Sequence, residues 1–417
     1  MRGGPLASMR LMSKRMVDVN QSDRPPEPIS MISAREVAWT SLLLVLLVGF
    51  RAVLNSPPFS LLRWYVAQLG EGARLLIGQP SIEGDIAGNF AQARAVIDPD
   101  FRAYDRLVDI FPLIGVEWSV GHGHPRLPME IPLYVPALAL GHESLIYQAI
   151  AYALPVMSLL ALAWSLRFMN IPLIAAWAAA MVLVVAPIGP FVLESTYPFV
   201  ALSLALAWRF RDRPVIAALG IVLAGAGRGL ALFPLLYFAL TRRWRTVVMA
   251  VITLGALLGV AVALEPSVLS DFMGRGLDWG EQNAARDDNA SLAAALIRPV
   301  YAYVLAAGIF ALTLRRLETS YWSFVWLSAA LAPIAWTYAA VALLPLGAYI
   351  WFKGAVCRVL VLIAALALLA NGSYSGMSYA VATLALGVGL VLATWGPDQS
   401  LSGGQEEPSD PRAKLRI

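Results

Sequence analysis

From residue 144 to residue 395, apart from the mixed stretch 265–298, the chain is a nearly continuous succession of apolar runs, with short turns between them in which the charges collect. A helix that crosses a bilayer needs about 20 mostly apolar residues, and it satisfies its own backbone hydrogen bonds, as any segment in hydrocarbon must. Apolar residues make up 59% of the chain and charged residues 14%, against roughly 45–50% and about 25% in ordinary globular domains. A soluble core cannot absorb that surplus. The expected fold class is therefore an all-α polytopic membrane protein. The single cysteine, Cys357, lies inside an apolar run, which leaves no intrachain disulfide and no redox pair. A net charge of +4 does not point to nucleic acid, because the basic residues sit mainly in tails and short loops, where they set topology.

The first apolar run, at 37–54, follows a polar segment containing Arg2, Arg10, Lys14, Arg15 and Arg24. It comes too late and is too long for a cleaved signal peptide. Further spans are expected at 144–166, 172–190, 197–209, 214–227, 229–241, 246–264, 299–314, 322–336, 338–352, 356–370 and 377–395, for a bundle of about twelve transmembrane helices. Several are shorter than about 17–20 residues, so some must be broken, tilted or paired as re-entrant hairpins. With the N-terminus inside, the cytoplasmic turns hold Arg167, Arg209, Arg211, Arg213, Arg242, Arg243, Arg245, Arg315, Arg316, Lys353 and Arg358, whereas the turns near 191–196 and 371–376 hold no Lys or Arg. That asymmetry is the positive-inside pattern. It gives cytoplasmic tails at 1–34 and 396–417, a membrane domain at 35–395, and two extracytoplasmic loops at 55–143 and 265–298. In the first loop Phe59, Leu62, Val66, Leu69, Ala73 and Leu76 recur at helical spacing. This fits an interfacial amphipathic helix or an ordinary helix packed on the bundle.

Several residues could carry chemistry. Asp85 opens a second helical pattern, 84–97, where it can act as the helix cap, as a general base at the membrane surface, or as both. His122-Gly123-His124 could begin a metal site, but a third ligand is normally required and no Cys or carboxylate cluster stands beside the pair. No metal is expected there, and His124 reads better as a ligand contact. Asp98-Pro99-Asp100 resembles the Asp-x-Asp of nucleotide-sugar enzymes but lacks the surrounding strand–helix alternation, and reads as a polar loop. Arg228 interrupts two apolar segments; it is either a snorkelling interface arginine or a cation brought beside the Asp85 loop by a hairpin. Asn289-Ala290-Ser291-Leu292 is suited to capping the next helix.

Taken in order, these features resemble the polyprenol-phosphate-sugar-dependent glycosyltransferases of family 87. These include bacterial α-mannosyltransferases and have the multi-spanning fold called GT-C. The matching residues are Asp85, the small-residue stretch Ala91–Ala95, Tyr104-Asp105, His124-Pro125-Arg126-Leu127-Pro128, Arg228 with Pro234 and the Arg242–Arg245 cluster, Asn289–Leu292 with Arg298, and Trp336-Thr337-Tyr338 with Leu343-Leu344-Pro345. Thr337 stands where the family usually has His, Arg228 where it often has Lys, and Arg126 where it has a second Pro. The resemblance covers about residues 37–352. It implies a GT-C bundle with Asp85 as the base and Tyr104, His124, Arg126, Arg228, Asn289, Arg298 and Tyr338 as donor or acceptor contacts. The implied partners are a polyprenyl-phosphate sugar, a glycolipid or polysaccharide acceptor and the lipid bilayer, with no cofactor.

The alternative readings are a transporter or flippase and a polysaccharide ligase or polymerase. Transporters place ionisable residues at the bilayer midplane, whereas here Glu194 and Glu265 lie at span ends. The ligases and polymerases usually carry their largest loop late in the chain, whereas here it follows the first span.

The topology has a direct test. With Cys357 replaced, single cysteines introduced at 55–143 and 265–298 are expected to react with an impermeant thiol reagent in intact cells. A cysteine in the 209–213 turn is expected to stay unlabelled, and its labelling would contradict the orientation.

Overall fold

Apolar runs broken at Pro, Gly and charged turns can satisfy their backbones as helices, and every regular element among the described residues of the computed structural model is helical. The structure describes residues 85–114, 127–138, 143–186, 189–284, 289–296, 299–317, 320–335, 337–370 and 376–395. The expected first span at 37–54, the amphipathic pattern at 59–76 and both tails lie outside the described residues. The main helices are α1 (Asp85–Ile97), α2 (Glu143–Phe168), α3 (Leu173–Val185), α4 (Tyr197–Arg209), α5 (Pro214–Gly227), α6 (Leu235–Leu240), α7 (Trp244–Leu264), α8 (Pro299–Thr313), α9 (Ser320–Ala330), α10 (Leu344–Trp351), α11 (Ala355–Ala370) and α12 (Gly376–Trp395). Among the described residues, α7 and all but the first residue of α12 are long and apolar enough to cross a membrane, and several other apolar helices are shorter.

Where the runs break, local chemistry explains it. The expected segment 322–336 ends as a helix at Ala330, three residues before Pro333, which disfavours helical geometry in its predecessor. The segment 229–241 is split into a 3₁₀ turn, Gly229–Leu232, and α6, with Pro234 between them. The segment 338–352 is likewise a 3₁₀ stretch, Thr337–Leu343, followed by α10, which has Pro345 in its first turn. Pro is tolerated there because the first helical N–H groups have no intrahelical partner.

Packing follows the small residues. Helix α4 lies against α2 and α5, and buried alanines line the join: Ala201, Ala205 and Ala207 on α4, Ala217 and Ala224 on α5. Small side chains let helix backbones approach closely, a common device where no solvent drives association. The bulk that fills the core is aromatic. Trp208, Tyr237, Tyr321, Trp322 and Tyr349 form one cluster, with ring centroids 4.9 Å apart for Tyr321–Trp322 and 5.2 Å for Trp208–Tyr321. The Tyr321 hydroxyl donates to the Leu204 carbonyl at 2.8 Å, so its polar end is satisfied inside the core. The outward faces, in contrast, are apolar: Val248, Val251 and Ile252 on α7 are 53%, 55% and 64% exposed, and Val304 on α8 is 66% exposed.

Residues from the two expected outer loops form a second core. Ile86, Phe90, Tyr104, Ile110, Phe111 and Ile131 pack with Ala261 and Val268 in one apolar cluster. This cap joins residues 85–138 to 261–279 and rests on the end of α7 and on Leu154 of α2.

Helices α9 and α12 meet in a close contact. The fully buried Trp326 donates from Nε1 to the Thr383 carbonyl at 2.7 Å. A Cβ built on Gly387 would lie 2.7 Å from Trp326 Cε2 and Cζ2. Gly387→Ala is therefore expected to destabilise the protein by about 1–3 kcal/mol through overpacking. Gly255→Ala, on the open face of α7 with nothing within 4 Å, should leave the apparent melting temperature unchanged or slightly raised. A Gly387→Ala protein that melts with the parent would contradict this packing.

Candidate functional site

The break between α5 and α6 sets up the site. Helix α5 ends at Gly227, and Arg228 is extended (φ −153°, ψ 104°) with its N–H donating to the Ala224 carbonyl at 2.9 Å. The half-buried guanidinium of Arg228 lies 4.3 Å from the centroid of the Tyr197 ring. A cation over an aromatic face gains about 0.5–2 kcal/mol, more as it is withdrawn from water. Gly229 lets another segment close in: a Cβ there would lie 2.8 Å from Leu127 Cδ1. The chain just after His124-Pro125-Arg126 is thereby seated against the Arg228 turn.

Between these pieces lies a cavity of about 500 Å³. Its walls come from the cap (Leu127, Glu130, Leu277), from the α5–α6 break (Gly227–Ala231), from the turn 332–335 and from the 3₁₀ stretch through Ala339 and Ala342. The walls are largely apolar, with Arg228, Glu130, Tyr197, Tyr379 and Ser328 as the main polar side chains.

Glu130 is buried, 2% exposed, and it is held in place. Its Oε1 accepts from Asn89 Nδ2 at 2.9 Å and from the Tyr134 hydroxyl at 3.4 Å, while Asn89 Nδ2 also donates to the Tyr134 oxygen at 2.7 Å. Asn89 belongs to α1, so the helix that begins at Asp85 is tied directly to the cavity wall.

The two loops are joined by a second carboxylate. Glu265 Oε2 accepts the Ala103 N–H at 3.0 Å and Oε1 accepts from the Ser267 hydroxyl at 3.2 Å. Burial holds the Glu265 carboxyl above the ordinary glutamate range; the Ala103 and Ser267 bonds pull it back, nearby Asp271 adds to the rise and Arg102 opposes it. Around this join Arg102 pairs with Asp271 at 3.5 Å and Arg275 with Asp105 at 2.6 Å. These rim pairs are partly exposed and contribute little individually. Tyr104 is fully buried beneath them, its ring against Phe272 and Trp279. Burial pushes its phenol far above the usual range, and the nearby Glu130 and Glu265 carboxylates push it further. The phenol therefore stays protonated at any working pH.

The expected site residues fall into four groups. Arg228 lines the cavity, and Tyr104 sits in the cap beside Glu130. Asp85 is the first residue of α1, and its backbone is described while its side chain is not. Tyr338 stands in the 3₁₀ stretch that lines the cavity, and its side chain is likewise outside the described residues. Asn289 is buried and acts on the backbone: Nδ2 donates to Ala284 O and Pro333 O, and Oδ1 accepts from the Ser291 and Ala335 N–H groups. It clamps the 333–335 wall, and its hydrogen-bonding capacity is used in doing so. Ser291 caps the short helix that follows by accepting from Ala294 N, the capping expected of that stretch. His124, Arg126 and Arg298 lie outside the described residues. Asp98 and Asp100 form a turn in which Asp98 Oδ1 accepts the Asp100 N–H at 3.1 Å. Among the described residues no group of three or more His, Cys, Asp or Glu could hold a metal ion.

Sequence reasoning passed over Glu130, Asn89 and Gln92. A signal was there: 85, 89 and 92 are spaced i, i+4, i+7, one face of a helix. Compared with protein-family models, with curated proteins and with solved structures, the chain has no match.

Proposed function

We propose that the chain is a multi-spanning membrane glycosyltransferase. It moves a sugar, mannose or a related hexose or pentose, from a polyprenyl-phosphate donor to a lipid- or polysaccharide-linked acceptor on the extracytoplasmic face of the plasma membrane. The observation that carries this reading is the cavity between the cap and the bundle, with Arg228 and Glu130 set in otherwise apolar walls. That is the chemistry an amphiphile with an anionic, hydroxylated head requires. The exposed apolar faces of α7 and α8 support the membrane setting, because patches of that kind are rare on water-soluble monomers. The contact between Ala103 and Glu265 supports the topology, since it requires both loops to lie on one side. A bundle of about twelve spans is part of the proposal. Its shorter members, such as α6 and α10, cross only as broken pairs with their neighbouring 3₁₀ segments or re-enter from one side.

In this reading Asp85, at the start of α1 on the cap side, is the general base. The acceptor hydroxyl oxygen attacks the anomeric carbon, its proton passes to the Asp85 carboxylate, and the bond from that carbon to the phosphate oxygen breaks. Polyprenyl phosphate leaves with the electron pair, and Arg228 offsets the charge that gathers on it. One base and one displacement invert the anomeric centre, unlike the two-carboxylate arrangement of retaining hydrolases. The leaving group is already a stable phosphate monoester, so the step as written calls for no metal.

Asp85→Asn tests the assignment. Asn keeps the size of the side chain and is well accepted at helix N-termini, but it takes no proton at neutral pH. Transfer should fall by at least about a hundredfold, since general-base catalysis contributes typically about 10²–10⁴-fold. The melting temperature should hold, and Asp98→Asn and Asp100→Asn should stay within a few-fold of the parent. A well-folded Asp85→Asn protein with near-normal transfer would remove Asp85 from the mechanism.

A further inference from the structure

The geometry points to a hydroxyl-binding subsite at the Glu130 end of the cavity, built by residues that the mechanism above leaves unused. A carboxylate that is 2% exposed is costly unless its bonds are satisfied and fixed. Glu130 is fixed by the triangle it makes with Asn89 and Tyr134, and Tyr134 is in turn held edge-on to Phe90, with centroids 5.2 Å apart. On the helix that supplies Asn89, Asn89 Oδ1 and both amide atoms of Gln92 are buried and have no hydrogen-bond partner among the described residues. Such unmet groups are uncommon in folded proteins, and each calls for a partner. A carboxylate accepts only, and a sugar hydroxyl in the cavity is a donor that the Glu130 carboxylate lining it can take.

Glu130 and Arg228 line the same cavity, and in a polyprenyl-phosphate sugar the phosphate is bonded directly to the sugar ring. With the phosphate toward Arg228, the ring hydroxyls reach the Glu130 wall. Glu130 is thus a specificity-determining residue for the transferred sugar, positioned by Asn89 and Tyr134. This inference rests on the donor proposed above.

Its test is a comparison of two probes on the full-length protein in lipid nanodiscs: polyprenyl phosphate carrying mannose, and polyprenyl phosphate alone. The wild-type protein is expected to bind the sugar-bearing probe more tightly. Glu130→Gln should weaken that probe by about tenfold or more, the loss expected when a hydrogen bond to a charged group is removed, and leave the bare phosphate probe unchanged. Tyr134→Phe, which keeps the ring beside Phe90, should show the same split with a smaller loss. Equal weakening of both probes, or no weakening, would make Glu130 a structural anchor and overturn the subsite. A wild-type protein that binds both probes equally would overturn the subsite and leave the donor reading standing. Binding of neither would bring down both.

Discussion

The constraint on which the rest depends is the outward face of the helices. Helix α7 exposes Val248, Val251 and Ile252 by more than half, and α8 exposes Val300 and Val304 in the same way. In water, roughly 25 cal/mol would be forfeited for each Å² of such surface left uncovered. In the proposed reading lipid covers it, and the other features follow. The backbone must be helical wherever it meets lipid. Breaks such as Arg228 and Pro333 are tolerated where they line a cavity or lie inside protein. Charges are left to the turns and the cap.

The cap and the bundle meet at a polar joint. On the cap side, Asn89 and Tyr134 hold Glu130; on the bundle side, Asn289 holds the 333–335 wall. The cavity between them thus has a wall on each side held by side-chain hydrogen bonds. Preorganisation of this kind lowers the cost of binding, because little side-chain freedom remains to be lost. Glu265 serves the same end one layer out, binding the Ala103 backbone and so keeping the two loops in register.

Much of the helical framework was legible in the residues. The segments 197–209 and 214–227 coincide with α4 and α5, because each is bounded by arginines, glycine or proline that end an apolar run unambiguously. The helical pattern at 84–97 was legible too, and among the described residues α1 runs from Asp85 to Ile97. The walls of the cavity were not. Glu130 is a single acid in the Pro-flanked stretch Pro128–Pro132; Tyr134 stands four residues on, but the shorter bond comes from Asn89, 41 residues away. Asn289 was expected to touch a ligand, yet its amide is taken up by four backbone groups, a contact set that only the folded turn at 333–335 creates. Local pattern encodes where helices begin and end; it does not encode which buried polar groups meet between them.

The most direct measurement of the central claim is sugar transfer by the purified chain, supplied in parallel with a polyprenyl-phosphate sugar and with the corresponding nucleotide sugar, each with and without EDTA, in the presence of extracted membrane glycolipids. A new glycolipid is expected from the polyprenyl-phosphate donor alone, formed equally well in EDTA. Transfer from the nucleotide sugar that EDTA abolishes would contradict it.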